Sequence, residues 1–317
     1  MVSENRSIAA DGKMIFRFNR GIDDSFVKRL NYEYEQGGWW RAIASDPDLF
    51  IGIREKYLNV YWKGNSLLKL WLDGERLVGE THYKYLLRSD TTRPYVCVEG
   101  GKVKVVDASA LFLGDLSDVV ALKRAAAAYV GGEKDGVHRI VLSNRNVVDV
   151  EVAFGLEANG EVPPSSRRLD FASLRLTDDG AEIVFYEAKR FSNPELRANG
   201  DARPPVAEQI DDYGKLLHGH SADVGRSYRK VCGNLIDLCG VRKRYGDWRE
   251  TMRRLSAKEI GLRVREDVRL VVFGFDADQR DGEVWKKHCE KLKAAVNQSL
   301  LLIGNPRGSL AESRLPR

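Results

Sequence analysis

A chain of 317 residues with 43% apolar content can bury one large core or two modest ones, so no disulfide or metal staple is needed to explain its folding. A net charge of +5 is too mild to mark a nucleic-acid binder by itself. The four cysteines (Cys97, Cys232, Cys239, Cys289) form no Cys-x-x-Cys pair, no apolar leader follows Met1, and no run of about eighteen apolar residues occurs. A zinc ribbon, a secreted disulfide framework and a membrane protein are thereby disfavoured, and a cytoplasmic, soluble chain is expected.

From Asp24 to Ala44, Phe26, Leu30, Tyr34, Trp40 and Ile43 recur at helical spacing, and Gly37-Gly38 predicts a break in that helix. After Pro47 the pattern becomes alternating. Phe50 to Ile53, Leu58 to Trp62 and Leu67 to Leu72, separated by Gly-containing turns, predict an antiparallel meander. Tyr95 to Glu99 and Lys102 to Val106 flank Gly100-Gly101 as a hairpin. A small α+β N-terminal domain over residues 1–107 follows. Trp39, Trp40, Tyr61, Trp62 and Trp71 enrich it in aromatic side chains, which read as core before they read as a stacking surface.

A helix is expected from Leu116, with Ser117 as N-cap and Gly131-Gly132 as its stop. Alternation over Val147 to Phe154 puts Val148, Val150, Val152 and Phe154 on one face and Asp149 and Glu151 on the other, with Asp149 read as solvent-facing. Leu169 to Leu176 and Ala181 to Arg190 flank an Asp178-Asp179-Gly180 turn. A helix over Val206 to Leu217 carries Val206, Ile210, Tyr213 and Leu217 on one stripe, and His218-Gly219-His220 reads as a loop at its end rather than a metal site. Cys232 and Cys239 read as core residues rather than a redox pair. Between Arg226 and Arg269 thirteen Lys or Arg face six Asp or Glu, a local excess of +7 that suits either a phosphate footprint or solvated helix faces. Val268 to Phe275 is apolar throughout and reads as a buried strand. The order of elements belongs to an α/β fold with a mixed sheet flanked by helices.

Within Ala181 to Arg190, Glu187 and Lys189 share a face, and Asp170 on the partner strand can converge with Glu187 across the ladder. Magnesium takes oxygen ligands from one or two carboxylates and keeps several waters, so Asp170 and Glu187 suit it, with the Ala188 carbonyl as a third ligand. Such an ion would activate a water, and Lys189 would orient that water and offset charge on a phosphate. The alternative is a surface ion pair of Glu187 with Lys189, which would contribute only about 0 to 1 kcal/mol.

Asp170, then Glu187-Ala188-Lys189, then a helix with Gln209 and Tyr213 resembles the PD-(D/E)xK nuclease superfamily, in particular members with a Gln-x-x-x-Tyr element. Leu169 stands where the family name puts proline. The resemblance spans roughly Leu116 to Phe275 and implies a restriction-endonuclease-like core over residues 108–306, followed by a C-terminal tail over 307–317. It implies a Mg²⁺-dependent nuclease, with Mn²⁺ as a substitute, in which Asp170 and Glu187 bind metal, Lys189 assists the water and Gln209 and Tyr213 line the site. Glu151 is a fourth candidate acid, with a solvent-facing role equally open. Without the triad, Gln209 and Tyr213 read as an ordinary helix pair. The expected substrate is nucleic acid, in the first instance DNA, with no membrane partner and with a homodimer admissible. The competing reading is a catalytically silent nucleic-acid-binding or partner-binding protein on the same fold. The N-terminal domain would then serve targeting, by analogy alone.

Overall fold

The computed structural model describes residues 15–86, 95–104, 116–157, 168–200, 202–296 and 299–310. After β1 (Ile15–Arg17) come α1 (Asp24–Gln36) and α2 (Trp39–Ser45). Asp23 caps α1 by accepting from the Phe26 N–H at 2.8 Å, and Gly37 and Gly38 at φ of 81° and 76° separate the helices where the sequence predicts a break. A six-stranded antiparallel sheet follows: β2 (Phe50–Ile53), β3 (Tyr57–Trp62), β4 (Asn65–Asp73), β5 (Arg76–His82), β6 (Tyr95–Glu99) and β7 (Lys102–Lys104), ordered as in the chain. Trp39, Trp40 and Tyr61 are buried and Trp62 packs against the core, which is the expected packing role.

Next come α3 (Val119–Ala127), capped by Asp118 rather than the expected Ser117, and α4 (Gly132–Ser143). The expected stop at Gly131-Gly132 is thus the start of a second helix. Then follow β8 (Val147–Ala153), β9 (Gly155–Glu157), β10 (Arg168–Thr177), β11 (Gly180–Arg190) and the long α5 (Pro205–Asp237). Helix α5 does not end at Leu217. His220 departs from helical geometry at φ −133° beside Gly219, so the His-Gly-His segment bends the helix without ending it. Completing the chain are α6 (Trp248–Ser256), β12 (Gly261–Val264), β13 (Arg269–Phe273), α7 (Ala277–Asp281), α8 (Glu283–Ala295) and β14 (Leu300–Gly304).

The second large sheet is mixed, in the order β14-β13-β11-β10-β8. Strand β10 runs antiparallel to β8 on one side and to β11 on the other, β13 runs parallel to β11, and β12 pairs the opposite end of the same edge. Strand β11 is buried from Ala181 to Lys189 because helices cover both faces. Ile183 and Phe185 join the main core with Tyr213 and Tyr228 of α5, while Val184, Tyr186 and Ala188 join a second core with Ile140 and Val141 of α4. Gly136 lets α4 approach: a Cβ there would fall 2.0 Å from the Phe273 ring.

The expected domain boundary at 107/108 lies outside the described residues. On either side of it the main core is shared, since Leu30, Trp40 and Leu58 cluster with Val148, Tyr213 and Leu235. Residues 307–310, read as tail, pack instead: Leu310 is buried and its N–H donates to Asn144 Oδ1 at 2.9 Å. Among the described residues no helix is long and apolar enough to cross a membrane.

Candidate active site

The regular ladder between β10 and β11 runs from Thr177 paired with Gly180 to Phe171 paired with Tyr186. One residue further, the Asp170 carboxylate takes the Ala188 N–H at 2.7 Å through Oδ2, which ties the two strands by a side chain. On the other side, Leu169 pairs with Val152 and Phe171 with Val150, which brackets Asp170 opposite Glu151. Glu151 has φ +50°, a backbone conformation that costs a non-glycine residue energy and is found at functional sites. Its carboxylate lies 3.6 Å from Arg168.

Glu187 and Lys189 lie on β11 at 3% and 9% exposure. Lys189 Nζ sits 2.9 Å from Glu187 Oε1 and 2.7 Å from Glu195 Oε2, so the ammonium is held between two carboxylates. Glu187 Oε2 is buried without a hydrogen-bond partner. Burial and the neighbouring Glu187 charge push the Asp170 carboxyl well above the ordinary range, with Glu151 adding to the rise and the Ala188 N–H and Lys189 opposing it. Burial also raises Glu187, against the pull of Lys189 and with help from Glu195 and Glu133. Burial disfavours the charge on Lys189, yet Glu187 and Glu195 raise its pKa and keep it an ammonium.

Two acids that the sequence does not single out complete the cluster. Glu133, in the first turn of α4, accepts from the Arg190 N–H at 3.0 Å and from Asn193 Nδ2 at 2.9 Å. Glu195 follows Asn193, whose Oδ1 caps that short turn. Apolar spacing at Val137, Ile140 and Val141 is the signal that could have revealed α4 and with it Glu133. Asp170, Glu151 and Glu133 line a cavity of about 110 Å³ closed by Phe50, Tyr61 and His138. Burial pushes the His138 imidazole down to about 4, so it adds no cation there. Glu187 and Lys189 lie beside this cavity and are not part of its lining.

Of the two helix residues, Gln209 is half-buried on α5, whereas Tyr213 is 1% exposed and packs 5.9 Å from Phe154 in the main core. Packing is the role the structure shows for Tyr213. Asp149, read as solvent-facing, is corrected to fully buried at 0% exposure. The cause is that both faces of β8 are covered, with Val148 and Val152 in the main core and Val147 and Val150 in the second; a register shift also leaves Val148 as an extra residue between Val147 and Asp149. Asp149 thereby meets Arg54 at 2.5 Å, Tyr228 Oη at 3.0 Å and Arg20 at 3.6 Å. His218 pairs with Glu266 at 2.7 Å.

Much of the basic segment is engaged within the chain. Arg229 donates to the Leu255 and Ile260 carbonyls, Arg244 to the Val141 carbonyl, and Arg253 pairs with Glu250 and Glu259. No set of three or more His, Cys, Asp or Glu side chains among the described residues is arranged to hold a metal ion. A magnesium ion asks less of a protein than that, since one or two carboxylates, waters and substrate phosphate complete its shell. The unpartnered Glu187 Oε2, the Asp170 carboxylate and the Ala188 carbonyl are oxygens of the type such an ion takes. No protein-family model matches the chain, and comparisons with curated proteins and with solved structures find no significant match.

Proposed function

We propose that the chain is a metal-dependent nuclease of the PD-(D/E)xK type, hydrolysing phosphodiester bonds of DNA. The observation that carries this reading is the meeting of Asp170, Glu187 and Lys189 at the end of β11, with one Glu187 oxygen buried and unpartnered. Support comes also from the order of elements, α4, three antiparallel strands, α5 and then the parallel β13, which is the arrangement the resemblance leads one to expect.

Asp170, Glu187 and the Ala188 carbonyl would hold Mg²⁺ or Mn²⁺. Once bound, the ion would supply Lewis acidity and a lowered water pKa. Asp170 is fixed by the Ala188 N–H, so its second oxygen is the one presented to a ligand. Lys189 keeps a proton at Nζ and can orient a water or offset charge on a phosphate oxygen once it exchanges Glu195 for substrate. Glu133 braces the Arg190 backbone and thereby the strand end that carries Lys189.

Purified full-length protein with Mg²⁺ should cut plasmid or linear DNA. Lys189→Ala should lose about 10²- to 10³-fold in rate while keeping its fold by circular dichroism, and Asp170→Ala should lose the heat of Mg²⁺ binding in calorimetry. Undiminished cleavage by Lys189→Ala removes the mechanism.

A second reading, binding without cutting, is favoured by the size of the acid cavity, about 110 Å³ against roughly 300 to 1,000 Å³ for ordinary ligand pockets. It predicts salt-sensitive DNA affinity that is unchanged by chelation, and no cleavage with either metal.

A further inference from the structure

We infer that the groove at the C-terminal end of α4, lined by Arg145, Arg175, Arg269, Tyr186 and Trp248, binds the phosphate backbone of a single-stranded nucleic acid. The groove encloses about 530 Å³, and its lining among the described residues contains three guanidiniums and no carboxylate. A larger open groove of about 860 Å³ beside β12 makes the contrast. There Arg226, Arg229, Arg263 and Arg265 are offset by Glu182, Glu266 and Asp267, so it carries no comparable excess.

Three features give the smaller groove its charge. Arg175 lies 2.5 Å from the buried Glu182, but that carboxylate also faces Arg265 at 3.7 Å and Arg263 at 3.9 Å, so one acid serves three guanidiniums. Arg145 is exposed, and its guanidinium lies against the backbone of Gly246, where a Cβ would come within 2.6 Å of it. Arg244, beside it, donates to the Val141 and Asn144 carbonyls at the end of α4, which offsets the negative end of that helix. Concentrated positive charge in a concave, low-dielectric wall attracts polyanions. Trp248, half-buried at the start of α6, supplies a flat apolar surface on which a base can stack, a combination typical of single-strand binding grooves.

Position strengthens the case. The acid cavity shares His138 with a third cavity, and that cavity shares Ser143 with the cationic groove, so the three adjoin along α4. Glu133 and Ser143 are separated by about 15 Å of helix, and Arg145 lies two residues beyond the helix end. A strand anchored at Arg145 could thus extend toward the acids. The identity of the anion as a nucleic acid rests on the nuclease reading, whereas the existence of the anion site does not.

Fluorescence anisotropy of a short labelled single-stranded DNA, recorded with full-length protein in EDTA, tests the inference without requiring cleavage. Wild type should bind with an affinity that falls as salt rises. Arg145→Glu should weaken binding by about ten-fold or more, Arg145→Lys should restore most of it, and Arg145→Ala should reduce the salt slope by about 0.7. The meander control Lys102→Glu should bind like wild type. Affinity of Arg145→Glu within two-fold of wild type, or no binding by wild type, overturns the groove. Binding lost in Arg145→Glu together with no Mg²⁺-dependent cutting by wild type would instead retain the groove and remove the nuclease.

Discussion

Asp149 and Asp170 sit on neighbouring strands of one sheet, the first fully buried and the second half-buried at a cavity wall, and their surroundings differ in kind. Around Asp149 both carboxylate oxygens are partnered: two arginines and a tyrosine hydroxyl meet one carboxylate, and its own strand adds the Val150 N–H at 2.8 Å. Around Asp170, Glu187, Glu151, Glu133 and Glu195 gather with Lys189, while Arg168 reaches Glu151, and the two inner carboxyls are driven upward in pKa. Buried ions cost desolvation wherever they occur, so a cluster that repays this cost internally fits a structural role. A cluster that leaves excess acid fits an external cation, and the difference separates the two aspartates without reference to any relative.

The sharpest way to break the comparison is to take a partner away from the fully partnered Asp149. Arg54→Met leaves Asp149 buried without its closest partner and should cost about 3 to 5 kcal/mol in urea unfolding. Because Arg54 lies between β2 and β3 and Asp149 on β8, the loss should be cooperative across the shared core, with a single transition. The double variant Arg54→Met, Asp149→Leu should recover a large part of it. A change below about 1 kcal/mol for the single variant would show that Asp149 is not held as a charged partner of Arg54.

The opposite sign is expected at the acid-rich cluster. A carboxyl whose folded-state pKa lies above its unfolded value binds more proton when folded, so it is neutral toward stability below about pH 4. As pH rises from there through the folded pKa it works increasingly against the fold. Asp170→Asn keeps an oxygen for the Ala188 N–H and removes the titration, so its melting temperature should exceed that of wild type at pH 7, with the gain shrinking toward pH 4. Added Mg²⁺ should raise the melting temperature of wild type and leave the variant unmoved. A variant less stable than wild type at pH 7 would place Asp170 with Asp149, as a structural acid.

Residues whose neighbours follow a simple period were legible in the sequence. Asp170, Glu187 and Lys189 lie on strands with strict turn signals, so the strands that carry them were legible from alternation. Asp149 was misread because alternation assigns one face of β8 to solvent, whereas core covers both faces, and a charged residue in the pattern does not announce buried arginine partners. Helix α4 was missed since Gly132 and Gly136 lower its helix propensity, although Gly136 is what allows Phe273 to pack beneath it. Glu133 was lost with the helix. The basic excess from Arg226 to Arg269 was counted correctly, but pairing through space was not visible: Arg253 reaches Glu250 and also Glu259, while Arg145, outside the counted segment, lines the more cationic groove.

The smallest effect on stability should carry the most information about chemistry. Glu195 is partly exposed, and its pair with Lys189 should be worth no more than about 1 kcal/mol. Glu195→Gln should therefore leave the denaturation midpoint almost unchanged. The same substitution removes one of the two carboxylates competing for Nζ, so Lys189 becomes more available to a phosphate oxygen. Under the nuclease reading, Mg²⁺-dependent cleavage should hold or rise in Glu195→Gln, and the rate should fall again when Lys189→Ala is added. If Glu195 were a ligand of the ion instead, cleavage and Mg²⁺ affinity would fall together in the single variant. The donor set would then have to be redrawn to include an acid from the turn after β11, with Lys189 as its neutralising partner.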